Sequence, residues 1–258
     1  MPLKVNWEGV FPAIPTQFKE DLSIDIEATQ KHTEALVNNG IHGIVMLGTI
    51  GEGTSLTLSE KVEVLRATVE VAGGKVPVLS GIAEFTTQGA CDTVKAAGEA
   101  GVDGIMLLPA MVYKSDARET IAHFRTVANS THLPIMCYNN PPVYRVDITP
   151  EMFKELIDVE NIVVIKEASG DVRRITELFN ALNDRFLIFA GLDDVALESF
   201  MLGCTGWISG LVDAFPRENR ALWDAAMSGD YERALEIYRW YMPMLRFDSH
   251  PKLVQYIK

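Results

Sequence analysis

Eight short runs of apolar residues recur along the chain, and each is followed by polar or turn-forming residues. Runs of this length, rich in β-branched side chains, predict buried β-strands. The predicted strands cover residues 9–14, 43–47, 76–82, 104–108, 134–138, 162–166, 187–190 and 206–209. Apolar residues at helical spacing predict intervening helices, including 24–39, 59–72, 86–100, 115–130 and 171–182. Ser59 and Thr149 are predicted to cap helix starts, and Gly40 and Gly101 to end helices.

Alternation of strand and helix through the chain predicts a parallel sheet joined by right-handed crossovers. Eight such units predict an α/β fold, the (β/α)8 TIM barrel, over residues 1–215. The rival is a doubly wound open sheet, which usually has a G-x-G-x-x-G turn after its first strand, and none follows Ile14. Residues 216–258 predict a C-terminal helical extension. Lys258 falls inside a predicted helix without a stop signal, which indicates that the extension continues beyond it.

Composition narrows the class of protein. The chain has 258 residues, 48% of them hydrophobic, which is enough for one large core. Its formal net charge of −12 argues against a nucleic-acid partner, because such a partner requires a basic surface. We find no run long enough to span a membrane and no secretory signal, so we expect a cytoplasmic protein. Its cysteines and histidines show no metal-site spacing, so a metal site built on them is not expected.

Lys166 ends the apolar strand that begins at Ile162 and is followed at once by a turn. An ammonium group at the end of such a strand is costly to bury unless it is paired or loses its proton. A lysine kept partly neutral by desolvation attacks carbonyl carbons, as in enzymes that form Schiff bases. The alternative is a structural lysine whose stem lies on apolar surface while its head reaches water.

Barrel enzymes work at the C-terminal ends of their strands, and other such ends carry candidate groups. Residues 48–52 place glycines on both sides of Thr49, which predicts backbone amides that converge on an anion such as a 2-oxo acid carboxylate. Glu52 is expected to accept backbone hydrogen bonds that hold this loop. Tyr138 closes the fifth strand, where its phenol can move protons or be a core side chain. Asp193 and Asp194 are expected to cap the next helix rather than to bind a ligand.

These motifs, in this order on these strand ends, resemble one known family. They are Gly48-Thr49-Ile50-Gly51-Glu52, Tyr138-Asn139-Asn140-Pro141, Ile165-Lys166-Glu167-Ala168-Ser169-Gly170-Asp171 and Gly191-Leu192-Asp193-Asp194. Each is weak alone, but the ordered set is specific. It resembles the dihydrodipicolinate synthase and N-acetylneuraminate lyase family of class I aldolases.

The resemblance implies a (β/α)8 barrel with a helical extension, assembled as a homotetramer that is a dimer of dimers. It implies that Lys166 forms the Schiff base and that Tyr138 is the proton relay. Thr49 and the Ile50 amide, in the loop that Gly48 begins, correspond to the carboxylate site of the 2-oxo acid. Gly191 and Ile208 are implied to line the pocket, and no metal or organic cofactor is required.

The sequence departs from the lysine-pathway members at three positions. Ile50 stands where those enzymes have a second threonine. The loop after the fourth strand has Met111 or Val112 where they have a tyrosine that enters a neighbouring subunit, with Tyr113 next to it. Val143 stands where they have an arginine that holds the aldehyde substrate's carboxylate. These departures argue against dihydrodipicolinate synthesis.

The segment 247–258 and the Gly-Thr-Ile-Gly-Glu loop look similar to another branch, the deaminases of hydroxyproline breakdown. These convert 1-pyrroline-4-hydroxy-2-carboxylate to 2,5-dioxopentanoate and ammonia, and we expect this activity. The alternatives are dihydrodipicolinate synthase, which joins pyruvate and aspartate semialdehyde, and a 2-keto-3-deoxy sugar acid aldolase or dehydratase. Outside this class, the alternatives are a barrel that binds a 2-oxo acid without catalysis and a metal-dependent class II aldolase.

Overall fold

The architecture is an eight-stranded parallel barrel surrounded by helices, in a computed structural model that describes residues 3–258. The strands are β1 Gly9–Pro12, β2 Ile44–Met46, β3 Val78–Ile82, β4 Gly104–Leu107, β5 Ile135–Asn139, β6 Ile162–Glu167, β7 Leu187–Ala190 and β8 Gly206–Ser209. They pair in parallel in the order β1-β8-β7-β6-β5-β4-β3-β2. A parallel bridge between Ala13 and Val45 joins the two ends of this order, so the predicted barrel is confirmed.

Helices follow the strands and continue after β8. They are α1 Ile26–Asn38, α2 Leu58–Ala72, α3 Thr87–Ala100, α4 Ala117–Asn129, α5 Pro141–Tyr144, α6 Pro150–Lys154, α7 Arg173–Leu182, α8 Ala196–Met201, α9 Pro216–Met227, α10 Tyr231–Leu245 and α11 Leu253–Ile257. Short 3-10 turns lie at Gly53–Ser55, Asn183–Arg185, Asp193–Val195, Leu211–Asp213 and Arg246–Ser249. Within residues 3–258, none of these helices has the length and apolar character needed to cross a bilayer.

Two helix starts show which caps the chain uses. Thr149 accepts a hydrogen bond from the Met152 amide at the start of α6, as predicted. The predicted cap Ser59 is wrong, because α2 is capped two residues earlier by Thr57. Thr57 and Glu60 form a reciprocal capping box, in which each side chain accepts a hydrogen bond from the other's backbone amide. This pairing satisfies two amides of the first turn, whereas a start at Ser59 would lose it.

Two apolar layers hold the barrel together. One lies between the strands and the surrounding helices, and Leu222 and Tyr241 of the C-terminal helices are part of the same cluster. The other fills the barrel, where the Phe11 and Phe189 rings pack edge to face with centroids 5.4 Å apart. Gly206 leaves room for this packing, since a Cβ there would lie 2.3 Å from Cζ of Phe189. The barrel below the strand ends is therefore a packed core.

Candidate active site

A cavity of about 590 Å3 opens at the C-terminal ends of the strands. All seven residues that the sequence singled out as catalytic or substrate-binding line it: Gly48, Thr49, Ile50, Tyr138, Lys166, Gly191 and Ile208. They come from β5, β6, β8 and the loops after β2 and β7. The fold thus brings the predicted residues together in one place, at the end of the barrel where catalytic groups of this fold lie.

Lys166 lies inside the barrel because β6 alternates, with Val164 in the interior cluster and Ile165 in the cluster under the helices. The lysine is 5% exposed, so its head does not reach bulk water as the structural alternative requires. Burial lowers the pKa of the amine from 10.5 to about 8, although the nearby carboxyl groups of Asp248 and Asp193 oppose the shift. The amine is therefore partly neutral near physiological pH.

Tyr138 is the register partner of Lys166 across β5 and β6. The amine lies over the phenol ring, with Nζ 3.7 Å from the ring centroid, where the ring face also favours its ammonium form. The Tyr138 hydroxyl accepts a hydrogen bond of 2.9 Å from Nδ2 of Asn140. Burial raises the pKa of this phenol well above its ordinary value, and Tyr144 raises it further, so Tyr138 carries its proton at neutral pH.

The loop after β2 turns tightly back on itself. The Glu52 amide donates to the Thr49 carbonyl and the Gly53 amide to the Gly48 carbonyl. A Cβ at Gly53 would lie 2.2 Å from the carbonyl oxygen of Leu47, so this path requires glycine there. Among the described residues, the backbone amides of Thr49 and Ile50 have no protein acceptor. They are therefore available to a bound anion.

Tyr144 and Asp248 were not singled out by the sequence, yet both line the cavity. Tyr144 ends the short helix α5, and its hydroxyl makes a short hydrogen bond with the Thr49 hydroxyl. Asp248 comes from the turn after α10 and accepts a hydrogen bond of 2.9 Å from the Asp193 amide. An aromatic residue just after an Asn-Pro-Pro turn was a usable local signal for Tyr144, whereas nothing local signals Asp248.

The prediction that Asp193 and Asp194 cap a helix is wrong, because no side chain makes a capping hydrogen bond at the start of the turn Asp193–Val195 or of α8. Asp193 has different contacts. Its carboxyl is fully buried and accepts hydrogen bonds from the Trp207 indole at 2.9 Å and from the Leu211 amide at 3.0 Å. Burial raises its pKa well above the ordinary value, and the Asp248 carboxyl raises it further. Burial also raises the pKa of Asp248, to about 6, against the lowering effects of the Asp193 amide and Lys166. Of these two carboxyl groups, that of Asp248 belongs to a residue that lines the cavity.

Three further residues complete the comparison with the sequence. Glu52 differs from expectation, since its carboxylate pairs with Nζ of Lys258 at 2.5 Å rather than with loop amides. Tyr113, next to the position of the tyrosine that enters a neighbouring subunit in the lysine-pathway enzymes, is 85% exposed and does not line the cavity. Val143 lies at the cavity mouth, 57% exposed.

In the described part of the chain, no three His, Cys, Asp or Glu side chains are grouped so as to hold a metal ion.

The sequence model of the dihydrodipicolinate synthetase family matches residues 6–258. The chain belongs to this family. It is therefore a lyase of the class I aldolase type, as the sequence resemblance implied. The family assignment covers nearly the whole chain, including every residue that lines the cavity.

Relatives and solved structures agree with this family. The chain is 35% identical over 251 residues to 4-hydroxy-tetrahydrodipicolinate synthase of Methanospirillum hungatei, covering 95% of this chain and 86% of the relative. It is 34% identical over 243 residues to the enzyme of the same name from Desulforamulus reducens, covering 94% and 82%. Dihydrodipicolinate synthase from Aquifex aeolicus superposes with a TM-score of 0.91 at 33% identity, over 96% and 86% of the two chains. A putative dihydrodipicolinate synthetase from Pseudomonas aeruginosa gives a TM-score of 0.94 at 30% identity, over 98% and 88%.

Proposed function

We propose that this enzyme forms a Schiff base between Lys166 and the C2 carbon of a 2-oxo acid or a cyclic imino acid. The observation that carries the proposal is the buried amine, which lines the cavity beside the phenol of Tyr138 and has a pKa lowered to about 8. A neutral amine is the nucleophile that this reaction needs. Tyr138 is the proton donor and acceptor, since its protonated phenol lies in the same cavity.

The reaction begins when the neutral amine attacks C2 of the 2-oxo acid and forms a carbinolamine. The C2 oxygen takes up protons and leaves as water, and the nitrogen lone pair completes a C=N bond, which gives an iminium. From a neutral amine and a ketone this sequence consumes one proton and releases one water. The iminium then accepts the electron pair of a C3–H bond, giving an enamine and returning a proton, or of a C3–C4 bond in a cleavage reaction.

The carboxylate of the substrate binds at the loop after β2, which Gly48 begins. The free amides of Thr49 and Ile50 support this placement, because N–H groups without a protein acceptor can donate to a carboxylate. Gly191 and Ile208 form another part of the pocket wall. A Cβ at Gly191 would lie 2.7 Å from the backbone oxygen of Glu167, so this wall depends on the absence of a side chain.

Two overall reactions, a synthase and a deaminase reaction, are candidates for the steps that follow Schiff-base formation. The names of the relatives favour the synthase reaction over the deaminase activity expected from the sequence. The synthase reaction condenses pyruvate with aspartate semialdehyde. Ile50 and Val143, where the lysine-pathway enzymes have a hydroxyl and an arginine, weigh against it. One observation favours the deaminase: Asp248, in the segment that carries that resemblance, lines the cavity and offers a carboxyl to a hydroxyl or amino group.

Trapping with borohydride tests the Schiff base directly. The protein is incubated with saturating pyruvate, reduced, and analysed by intact mass and peptide mapping. We expect a stable adduct on Lys166 and none in the Lys166→Met variant. Saturable pyruvate binding without an adduct would instead support a non-catalytic 2-oxo acid-binding barrel. Inhibition by a strong chelator, without an adduct, would support a metal-dependent class II aldolase.

A substrate panel followed by product mass then separates the reactions. It contains pyruvate with aspartate semialdehyde, 1-pyrroline-4-hydroxy-2-carboxylate, 2-keto-3-deoxy sugar acids and sialic acid. Turnover of the first pair establishes the synthase reaction, and release of ammonia with 2,5-dioxopentanoate establishes the deaminase. Product from a sugar acid would place the enzyme with the aldolases or dehydratases of that class.

We propose a cytoplasmic homotetramer that is a dimer of dimers, without nucleic-acid or membrane partners and without a cofactor. We also propose a division into a barrel at residues 1–215 and an extension at residues 216–258. Light scattering coupled to size-exclusion chromatography tests the assembly, and a mass of one subunit would contradict it.

A further inference from the structure

Tyr144 connects two elements of the cavity that are far apart in sequence. Its hydroxyl hydrogen bonds with that of Thr49, in the loop after β2. Its ring packs edge to face on the ring of Tyr138, with centroids 5.6 Å apart. Tyr144 also lines the cavity itself. The side chain therefore lies between the proposed proton donor and the proposed carboxylate site.

Asn140 fixes the positions of both tyrosines. Its Nδ2 donates to the Tyr138 hydroxyl at 2.9 Å, and its Oδ1 accepts from the Val143 amide at 3.2 Å and so caps the helix that ends in Tyr144. An amide NH2 group only donates, so the proton of the Tyr138 hydroxyl is not given to Asn140. That proton is left for the substrate or for the neighbouring phenol.

Both phenols are suited to pass a proton on rather than to store a negative charge. Burial raises the pKa of Tyr144, and its hydrogen bonds with Thr49 and Tyr138 lower it in part. The pKa of Tyr138 is raised as well. A phenol that stays neutral at pH 7 transfers protons by giving one and accepting another at the same time.

We propose that Tyr144 is a positioning residue that completes a proton relay from Tyr138 to Thr49 within one chain. The proposal rests on the proposed function, since the relay serves the Schiff base at Lys166. When the iminium forms, the proton consumed enters from water at the mouth, through Thr49 and Tyr144 to Tyr138, and leaves on the C2 oxygen as part of the released water. When C3 loses a proton, the same chain carries that proton outward.

The relay requires no side chain from a second subunit, because all three hydroxyl groups belong to the same chain. Tyr231, the first residue of α10, lies outside the cavity and is exposed. It therefore provides a matched control for Tyr144: the same chemical change, loss of one phenol hydroxyl, can be made at both positions.

The test uses exchange of the C3 hydrogens of pyruvate for deuterium, followed by proton NMR, because exchange needs no second substrate. Tyr144→Phe keeps the ring that packs on Tyr138 and removes only the hydroxyl. We expect the saturated exchange rate to fall about 100-fold, at the low end of the range for lost acid–base catalysis. The pyruvate concentration at half-saturation should change little, and Tyr231→Phe should match the parent protein in both.

A double variant sharpens the result. If Tyr144 acts through Tyr138, the Tyr138→Phe/Tyr144→Phe protein should exchange no more slowly than Tyr138→Phe alone. Multiplicative losses would mean that the two phenols act independently, and would overturn the proposal. So would an unchanged saturated rate with weaker pyruvate binding, because Tyr144 would then only support the carboxylate loop. Failure of the parent protein to form a borohydride adduct would reject the proposed function itself.

Discussion

Asp248 opposes the effect of burial on the pKa of the Lys166 amine, so removing its charge should change how much of the amine is neutral at physiological pH. The amine has a pKa of about 8, lowered from 10.5 by burial, while Asp248 and Asp193 hold it up. At pH 7 roughly a tenth of an amine with this pKa is neutral, about 300-fold more than for a fully hydrated lysine. Only the neutral form attacks C2, so the rate at low pyruvate should rise with pH and level off above about 8.

Asp248→Asn keeps the shape of the side chain and an oxygen that can accept from the Asp193 amide, but removes the charge. Without that charge the ammonium form loses a stabilising partner, and the pKa of Lys166 should fall below 8. A fall of about one unit would raise the neutral fraction at pH 7 from about a tenth to about a half, a gain of about 5-fold. Below pH 6 the gain should disappear, because Asp248 in the parent protein, with a pKa of about 6, then becomes neutral as well.

The assay is pyruvate C3 deuterium exchange at subsaturating pyruvate from pH 5 to 10, since this regime reports the pKa values of the free enzyme. Asp184→Asn is the control, because Asp184 is exposed and precedes β7 at the opposite end of the barrel. Its profile should overlay that of the parent protein. A rising limb that stays in place or moves to higher pH in Asp248→Asn would refute this account of the amine.

Other substitutions test the site and the core. Tyr138→Phe should lower the saturated exchange rate by about 100-fold or more with little change in pyruvate binding, and equal losses in both would remove its relay role. Phe189→Ala should cost about 3–5 kcal/mol in urea unfolding, because the ring fills the barrel beside Phe11; a loss under 1 kcal/mol would contradict that packing. Gly191→Ala should cost about 1–3 kcal/mol by crowding Glu167, whereas Gly98→Ala, inside α3 with its Cβ at an ordinary 3.5 Å contact, should be neutral or stabilising.

The barrel could be predicted from the chain because each strand is a short apolar run that ends at a turn. The runs at 187–190 and 206–209 match β7 and β8 residue for residue. The first strand is shorter than predicted, Gly9–Pro12 rather than 9–14, because apolar residues continue past the regular pairing. An apolar residue indicates a buried position, and buried positions continue beyond the residues that form the hydrogen bonds of the sheet.

The site was predictable where a strand end places a side chain, and not where a distant segment folds over it. Lys166 and Tyr138 lie at the ends of adjacent strands, so alternation and chain order bring them together. The role of Asp193 was predicted wrongly because the two groups that donate to its carboxyl belong to β8 and the loop after it. These donors are the Trp207 indole and the Leu211 amide. Asp248 depends on the path of the chain after α10, and no local pattern encodes that path.

The aromatic packing inside the barrel limits the routes by which molecules can enter and leave the cavity. Phe11 and Phe189 fill the barrel below the cavity, so this packed core blocks the passage of a small molecule through the barrel. Substrate and product of the proposed reaction would therefore share the opening of the cavity at the strand ends. Residues between Asp248 and Val254 line the cavity, so this segment helps to determine which molecules enter and leave it.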